Sequence, residues 1–242
     1  MNWQDKFALK QLIYENRLAS ADDVKHFRME GEAAVSFPLN RMRMENKLDP
    51  ELGQKANFVF WCPVDFPDHI AISWDFWPIR EPGLCILFFA ATGIHGEDLF
   101  DPRLAVRTGI YSQYHSGDIN AYHVSYFRRK EKDERTFHTC NLRKSRGFHL
   151  VAQGADPIPS VGDAEGPYNI KVFKYGGEIL FAINDLTVFH WIDDGVAYGK
   201  PLGGGKIGFR QLSPLIAEYA NLKVHAIEPL AKEPSTKERS DR

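Results

Sequence analysis

Along most of this chain, apolar and polar residues alternate with a period of two. In HIAISWDFW (69–77), Ile70, Ile72, Trp74 and Phe76 fall on one side, and His69, Ala71, Ser73, Asp75 and Trp77 on the other. Successive strand side chains point to opposite faces, so the spacing predicts a half-buried strand whose first set enters a core. The block after Pro38 repeats the pattern, with Met42 and Met44 opposed to Arg41, Arg43 and Glu45. LCILFFAA (84–91) is apolar on both faces and bounded by Gly83 and Gly93, which predicts a central strand covered on both sides. YNIKVFKY (168–175) and EILFAIN (178–184) flank Gly176 and Gly177, the signal of a tight hairpin. NFVFWCP (57–63), FHTCNLRK (137–144), FHLVAQ (148–153), LTVFHWID (186–193), KIGFRQL (206–212) and EYANLKVHAI (218–227) read as further strands. One short helix is expected over residues 7–14, where apolar positions sit near helical spacing.

About a dozen short strands with little helix predict an all-β fold, a two-sheet antiparallel β-sandwich or jelly roll. Residues 1–21 read as an N-terminal extension, 22–228 as a single sandwich domain, and 229–242 as a disordered Lys/Glu/Ser/Pro-rich tail. At 242 residues such a domain buries a sizeable core without staples.

Charge narrows the partners. A formal net charge of −2 gives no reason to expect nucleic acid or an anionic membrane surface. No run approaches the ~18 apolar residues of a membrane span. Cys62, Cys85 and Cys140 form no zinc or redox spacing, and each lies in an apolar or β-like run as a small hydrophobe. With a polar N-terminal stretch, this makes a reducing cytoplasm the expected compartment. A homo-oligomer is compatible with the composition.

The chemistry gathers in AVRTGIYSQYHSGDINAYHVSYFRR (105–129). Its tyrosines, arginines, histidines and asparagine suit a sugar, with aromatic faces for C–H surfaces and forked donors for hydroxyls or carboxylates. Alternation over 120–129 puts His123, Ser125 and Arg129 on one face and Asn120, Tyr122, Tyr126 and Arg128 on the other. A retaining glycosidase needs two carboxyls ~5 Å apart, and no strand presents acids at i and i+2 or i+4. A polysaccharide lyase needs a carboxylate neutraliser, a base and an acid, and this stretch holds those residue types. There is no P-loop, dinucleotide glycine fingerprint or Gly-x-Ser-x-Gly elbow. No metal spacing is recognised, although loop carboxylates are compatible with a structural Ca²⁺.

His123, His115, Tyr126 and Asp118 are therefore the candidate catalytic groups. Arg107, Tyr111, Asn120, Arg128, Arg143, Lys144, Trp77, Glu97 and Asp98 are the candidates for holding an oligosaccharide. A plainer reading is that the cations of 128–146 balance Glu97, Asp98, Asp101 and Asp118 across loops.

The blocks FVFWCP, SWDFWPI, LFFAATG, GEDLFD, YHSGDINAYHVSYFRR, TCNLRKSRGFHL and GKIGFRQ resemble the bacterial YesU family, over about residues 22–227. The resemblance implies a concanavalin A-like, galectin-like sandwich. It also implies a link to plant cell-wall sugars, because the family's name-giving member belongs to a gene set for rhamnogalacturonan breakdown. It supplies no activity and no catalytic residues. Family variation at 113 and 138 sets Gln113 and His138 behind the other candidates. Two functions follow as expectations: an enzyme acting on acidic, pectin-derived oligosaccharides by lyase or hydrolase chemistry, or a non-catalytic, lectin-like sugar-binding protein.

Overall fold

The computed structural model describes residues 3–131 and 138–230, and among these fifteen strands build two antiparallel sheets. The eight-stranded sheet contains β1 (Phe7–Asn16), β3 (Ala33–Ser36), β4 (Met42–Asn46), β6 (Ile70–Arg80), β11 (Tyr168–Tyr175), β12 (Glu178–Ile183), β13 (Leu186–Ile192) and β15 (Ile216–Pro229). The seven-stranded sheet contains β2 (Arg28–Glu30), β5 (Phe58–Trp61), β7 (Leu84–Gly93), β8 (Ile119–Tyr126), β9 (Thr139–Ser145), β10 (His149–Ala155) and β14 (Lys206–Leu212).

The alternation decides the layers. Ile72, Trp74 and Phe76 of β6 face Leu87 and Phe89 of β7, Val124 of β8 and Phe209 of β14 in one continuous core between the sheets. β7 is buried along nearly its whole length, as a two-sided apolar run requires. Its outward residues Ile86 and Phe88 pack in a second cluster with Trp61, Leu99 and Tyr114, because the segment 94–118 folds across the outer face of the seven-stranded sheet. Between β12 and β13, Asn184 and Asp185 take φ of 48° and 66°, the left-handed pair of a primed turn.

The expected helix over 7–14 is strand β1. It pairs with residues 222–229 of β15, just past the point where β4 leaves that strand. Two register shifts, between Leu9 and Leu12 and between Leu12 and Tyr14, break the period-two pattern. The N-terminal residues are thus part of the sheet, with Trp3 and Phe7 packed on Phe173 and Ile227. Residues 132–137 of the charged run and 231–242 of the tail lie outside the described residues. Among the described residues no helix is long and apolar enough to cross a membrane.

Candidate functional site

On β8 and β9 the parity that sends Tyr122, Val124, Cys140 and Leu142 into the core turns His123, Ser125, Asn141 and Arg143 outward. His123 stands directly opposite Arg143, and Ser125 opposite Asn141. Over them the 94–118 segment brings Tyr111 and a single helical turn, α1 (Ser112–His115). Gly109 sets how closely this segment lies: φ is +90° and an added Cβ would sit 1.9 Å from the Asn57 carbonyl oxygen. Only glycine fits there. Below, the fully buried Arg210 donates from Nη1 to the Gly109 oxygen at 2.6 Å. Its guanidinium lies 5.0 Å from the Tyr111 ring centre, supporting that ring from beneath.

Tyr111 Oη meets His123 Nε2 at 2.8 Å. Burial, with help from Arg143, His115 and Arg210, holds the His123 imidazole well below its ordinary range, so it is neutral near pH 7. Burial pushes the Tyr111 phenol up to about 12, against the pull of Arg210, Arg143 and Arg128, so it keeps its proton. The phenol then donates to Nε2, and the imidazole proton sits on Nδ1. His115 is also lowered, first by burial and then by Arg143 and Arg210. Its Nδ1 contacts Ser116 Oγ at 2.7 Å. Phe148 closes an aromatic trio, with ring centres 4.3 Å from His115 and 5.4 Å from Tyr111. The Arg143 guanidinium lies 3.9 Å over Phe148 and donates to its carbonyl oxygen at 3.0 Å.

Tyr111, Phe148 and Arg143 border a pocket of about 190 Å³. Leu84, Ile86 and Leu212 make its apolar floor, Tyr111 and Phe148 its walls. Ser125, Asn141, Arg128 and Arg143 supply its polar groups, and no carboxylate lines it among the described residues. Arg128 is steadied by donation to Thr139 Oγ1 at 2.6 Å.

Of the residues singled out from the sequence, the fold brings together His115, His123, Tyr111, Arg128 and Arg143. The others it places elsewhere. Tyr126 is one position past outward-facing Ser125, so it enters the core, with its ring 5.1 Å from Phe76. Lys144 likewise points inward from Arg143 and pairs with Asp193 at 2.6 Å, each side chain 3% exposed. It also donates to the Gly199 and Lys200 oxygens, tying down that loop. Arg107 is buried against Glu30 at 2.8 Å and holds the covering segment. Asp118 accepts from Ala105 N at 2.6 Å and closes the base of that segment. Asn120 donates to the Ile94 oxygen and, with Lys144, borders a separate hollow beside residues 198–203. Glu97 caps its own turn through His95 N, and Asp98 pairs with Lys206 at 2.8 Å. Trp77 lies on the outer face of the opposite sheet.

Among the described residues, Glu97 and Asp118 accept from backbone amides, Asp98 pairs with Lys206 and Asp101 with Arg103. Arg129 instead pairs with Asp156 inside the protein, at 3.5 Å. Arg210, Asn141 and Phe148 were not among the sequence candidates. Arg210 had a legible signal, a cation on the outward parity of the apolar run KIGFRQL; Phe148 had none. Among the described residues, no three His, Cys, Asp or Glu side chains are placed to share a metal.

The chain can now be set beside known proteins. A model of a domain of unknown function, DUF1961, matches residues 11–224. The uncharacterized protein YesU of Bacillus subtilis (strain 168) is 56% identical over 213 residues, 88% of this chain and 94% of that protein. A crystal structure of a Bacillus subtilis protein of unknown function with a galectin-like fold superposes with a TM-score of 0.88 at 54% identity, covering 91% of this chain and 98% of that one. Two distant structures share the fold alone. They are the carbohydrate-binding module CBM66 from Bacillus subtilis (TM-score 0.52, 12% identity, covering 82% of this chain and 94% of that one) and the kappa-carrageenase of Pseudoalteromonas carrageenovora bound to an oligotetrasaccharide (TM-score 0.55, 8% identity, covering 92% and 96%). On family model, identity and fold together, the chain belongs to the YesU-like DUF1961 family.

Proposed function

We propose that this protein is carbohydrate-active and takes an acidic sugar unit, such as a galacturonate from a pectin-derived oligosaccharide, in the pocket between Tyr111 and Phe148. The observation that carries the reading is the lining: two arginines and an aromatic wall around a small hollow with no carboxylate among the described residues. Arg128 and Arg143 neutralise a uronate carboxylate, and Phe148 offers a ring face to the sugar's C–H surface. Distant structural kinship with a carbohydrate-binding module and a carrageenase supports a sugar ligand without choosing the chemistry.

The side chains favour β-elimination over hydrolysis, since no paired carboxylates line the pocket among the described residues. In that step a base removes the proton α to the carboxylate and negative charge moves onto the carboxylate oxygens. The glycosidic C–O bond β to it then breaks as C=C forms, and the departing oxygen takes a proton. Neutral His115, beside the pocket walls Phe148 and Tyr111, suits the base; protonated Tyr111, turning its proton from His123 to the departing oxygen, suits the acid; and the arginines suit the developing charge. His123 acts behind Tyr111, orienting it. Incubation with rhamnogalacturonan and galacturonate oligosaccharides is expected to generate ultraviolet absorbance from the new double bond. Tyr111→Phe should lower that rate about 100-fold or more. Neither absorbance nor new reducing ends across the panel would remove the enzymatic reading.

The lectin-like alternative keeps one observation in its favour: His123 is 1% exposed, sealed from any ligand by Tyr111. Calorimetric binding without product would establish it.

A further inference from the structure

The outer face of the eight-stranded sheet carries a larger hollow, of about 780 Å³, within the size range of small-molecule sites. We infer that this hollow is a second saccharide site, on the side of the sandwich opposite the Tyr111 pocket, and that it takes a neutral sugar. The inference does not rest on the proposed function.

Trp77 forms its aromatic wall. It leaves β6 on the outward parity, and Arg41, outward on the opposite side of Met42, lies over the indole with its guanidinium carbon 3.9 Å from the ring centre. The stacked pair presents an apolar edge for sugar C–H groups beside N–H donors for hydroxyls. Asp75, two residues before Trp77 on the same face, is a positioned acceptor. Asn169 Nδ2 donates to one of its oxygens at 2.9 Å, and Asn221 Nδ2 to the other at 2.8 Å. Each carboxylate oxygen retains lone-pair capacity for a hydroxyl. Asn221 is itself fixed by its backbone N–H, which donates to the Arg17 oxygen at 3.0 Å. β6 thus holds an indole and an amide-braced carboxylate, and the turn leading into β4 holds a guanidinium, around one concavity.

Charge selects the ligand class. The lining cations Arg17 and Arg41 are matched in number by Asp23 and Asp75, and Arg41 also pairs with the buried Glu218 at 3.3 Å, so no net charge there selects an ionic ligand. The Tyr111 pocket, with two arginines and no acid among the described residues, has the opposite preference.

The test is calorimetric titration of the full chain with neutral oligosaccharides of glucose, galactose, mannose and rhamnose, each at millimolar concentration. Binding of at least one is expected. Trp77→Ala should weaken it at least 10-fold, Trp77→Phe should retain most of it, and Ala19→Phe, which fills the hollow from its rim, should abolish it. Unchanged thermal midpoints verify that the variants fold. Absence of binding across the panel, or binding that Trp77→Ala and Ala19→Phe leave intact, would overturn the inference. So would binding displaced by galacturonate oligosaccharides and lost in Arg143→Ala, which would assign the neutral sugar to the other face.

Discussion

Arg143 and Lys144 are neighbours in sequence and face opposite ways. Arg143 looks onto the pocket, whereas Lys144 enters the protein to meet Asp193, which also accepts from Tyr122 Oη at 2.5 Å. Removing one member of such a pair leaves a buried charge uncompensated, at about 3–5 kcal/mol. Lys144→Ala should therefore lower the thermal midpoint by roughly 10 °C, read by calorimetric melting, and Lys144→Ala with Asp193→Leu should recover part of the loss. His123 gives a pH signature. Its folded pKa lies well below 6.5, so between those values the unfolded chain binds a proton that the folded chain does not. Stability is then full above about 7 and falls as pH drops below 6.5. His115 works in the same direction. A melting series from pH 7.5 to 5 should show this decline, and His123→Gln should make it shallower; equal slopes in the two proteins would count against the buried neutral imidazole.

At the scale of elements, strand parity was the legible quantity. It separated Trp74 and Phe76 from Asp75 and Trp77, and His123 from Tyr122, all without coordinates. It failed where bulges interrupt it. In β1 the shifts around Leu12 leave apolar positions that mimic a helical period. Parity is also blind to what lies above a face. The covering segment 94–118 puts Tyr111 over His123, a contact between a loop and a strand with no local signature. That segment is seated by the buried Arg107–Glu30 pair and by Gly109 against Asn57. β1 yields its own prediction. With the turn before it, it shields Phe173 through Trp3 and Phe7, and it occupies the β15 backbone over 222–229. Deleting residues 3–16 should expose an unpaired strand edge and an apolar patch, giving aggregation by analytical ultracentrifugation and a lowered midpoint. A truncated chain that stays monomeric and equally stable would contradict this.

For the molecule as a whole, the sandwich was readable because both sheets must bury one face, and that requirement is written in every strand. The candidate site was half readable. Of the candidates between Arg107 and Lys144, Tyr111, Arg128 and Arg143 line one pocket, and His123 and His115 pack against Tyr111. Which sheet face each occupies depends on pairing register, so Tyr126, Lys144 and Trp77 separated from the rest once β8, β9 and β6 were in place. Two chemically different outer faces result, one cationic around Tyr111 and one charge-balanced around Trp77.

The central claim is that Arg128 and Arg143 make the Tyr111 pocket a receptor for an acidic sugar. Calorimetric titration with galacturonate oligosaccharides tests it most directly, on the wild type, Arg143→Ala and Trp77→Ala. The account predicts saturable binding, weakened roughly 10- to 100-fold by Arg143→Ala, as expected for losing hydrogen bonds to a charged group, and unchanged by Trp77→Ala. No binding by the wild type, or equal affinity in Arg143→Ala, would contradict it.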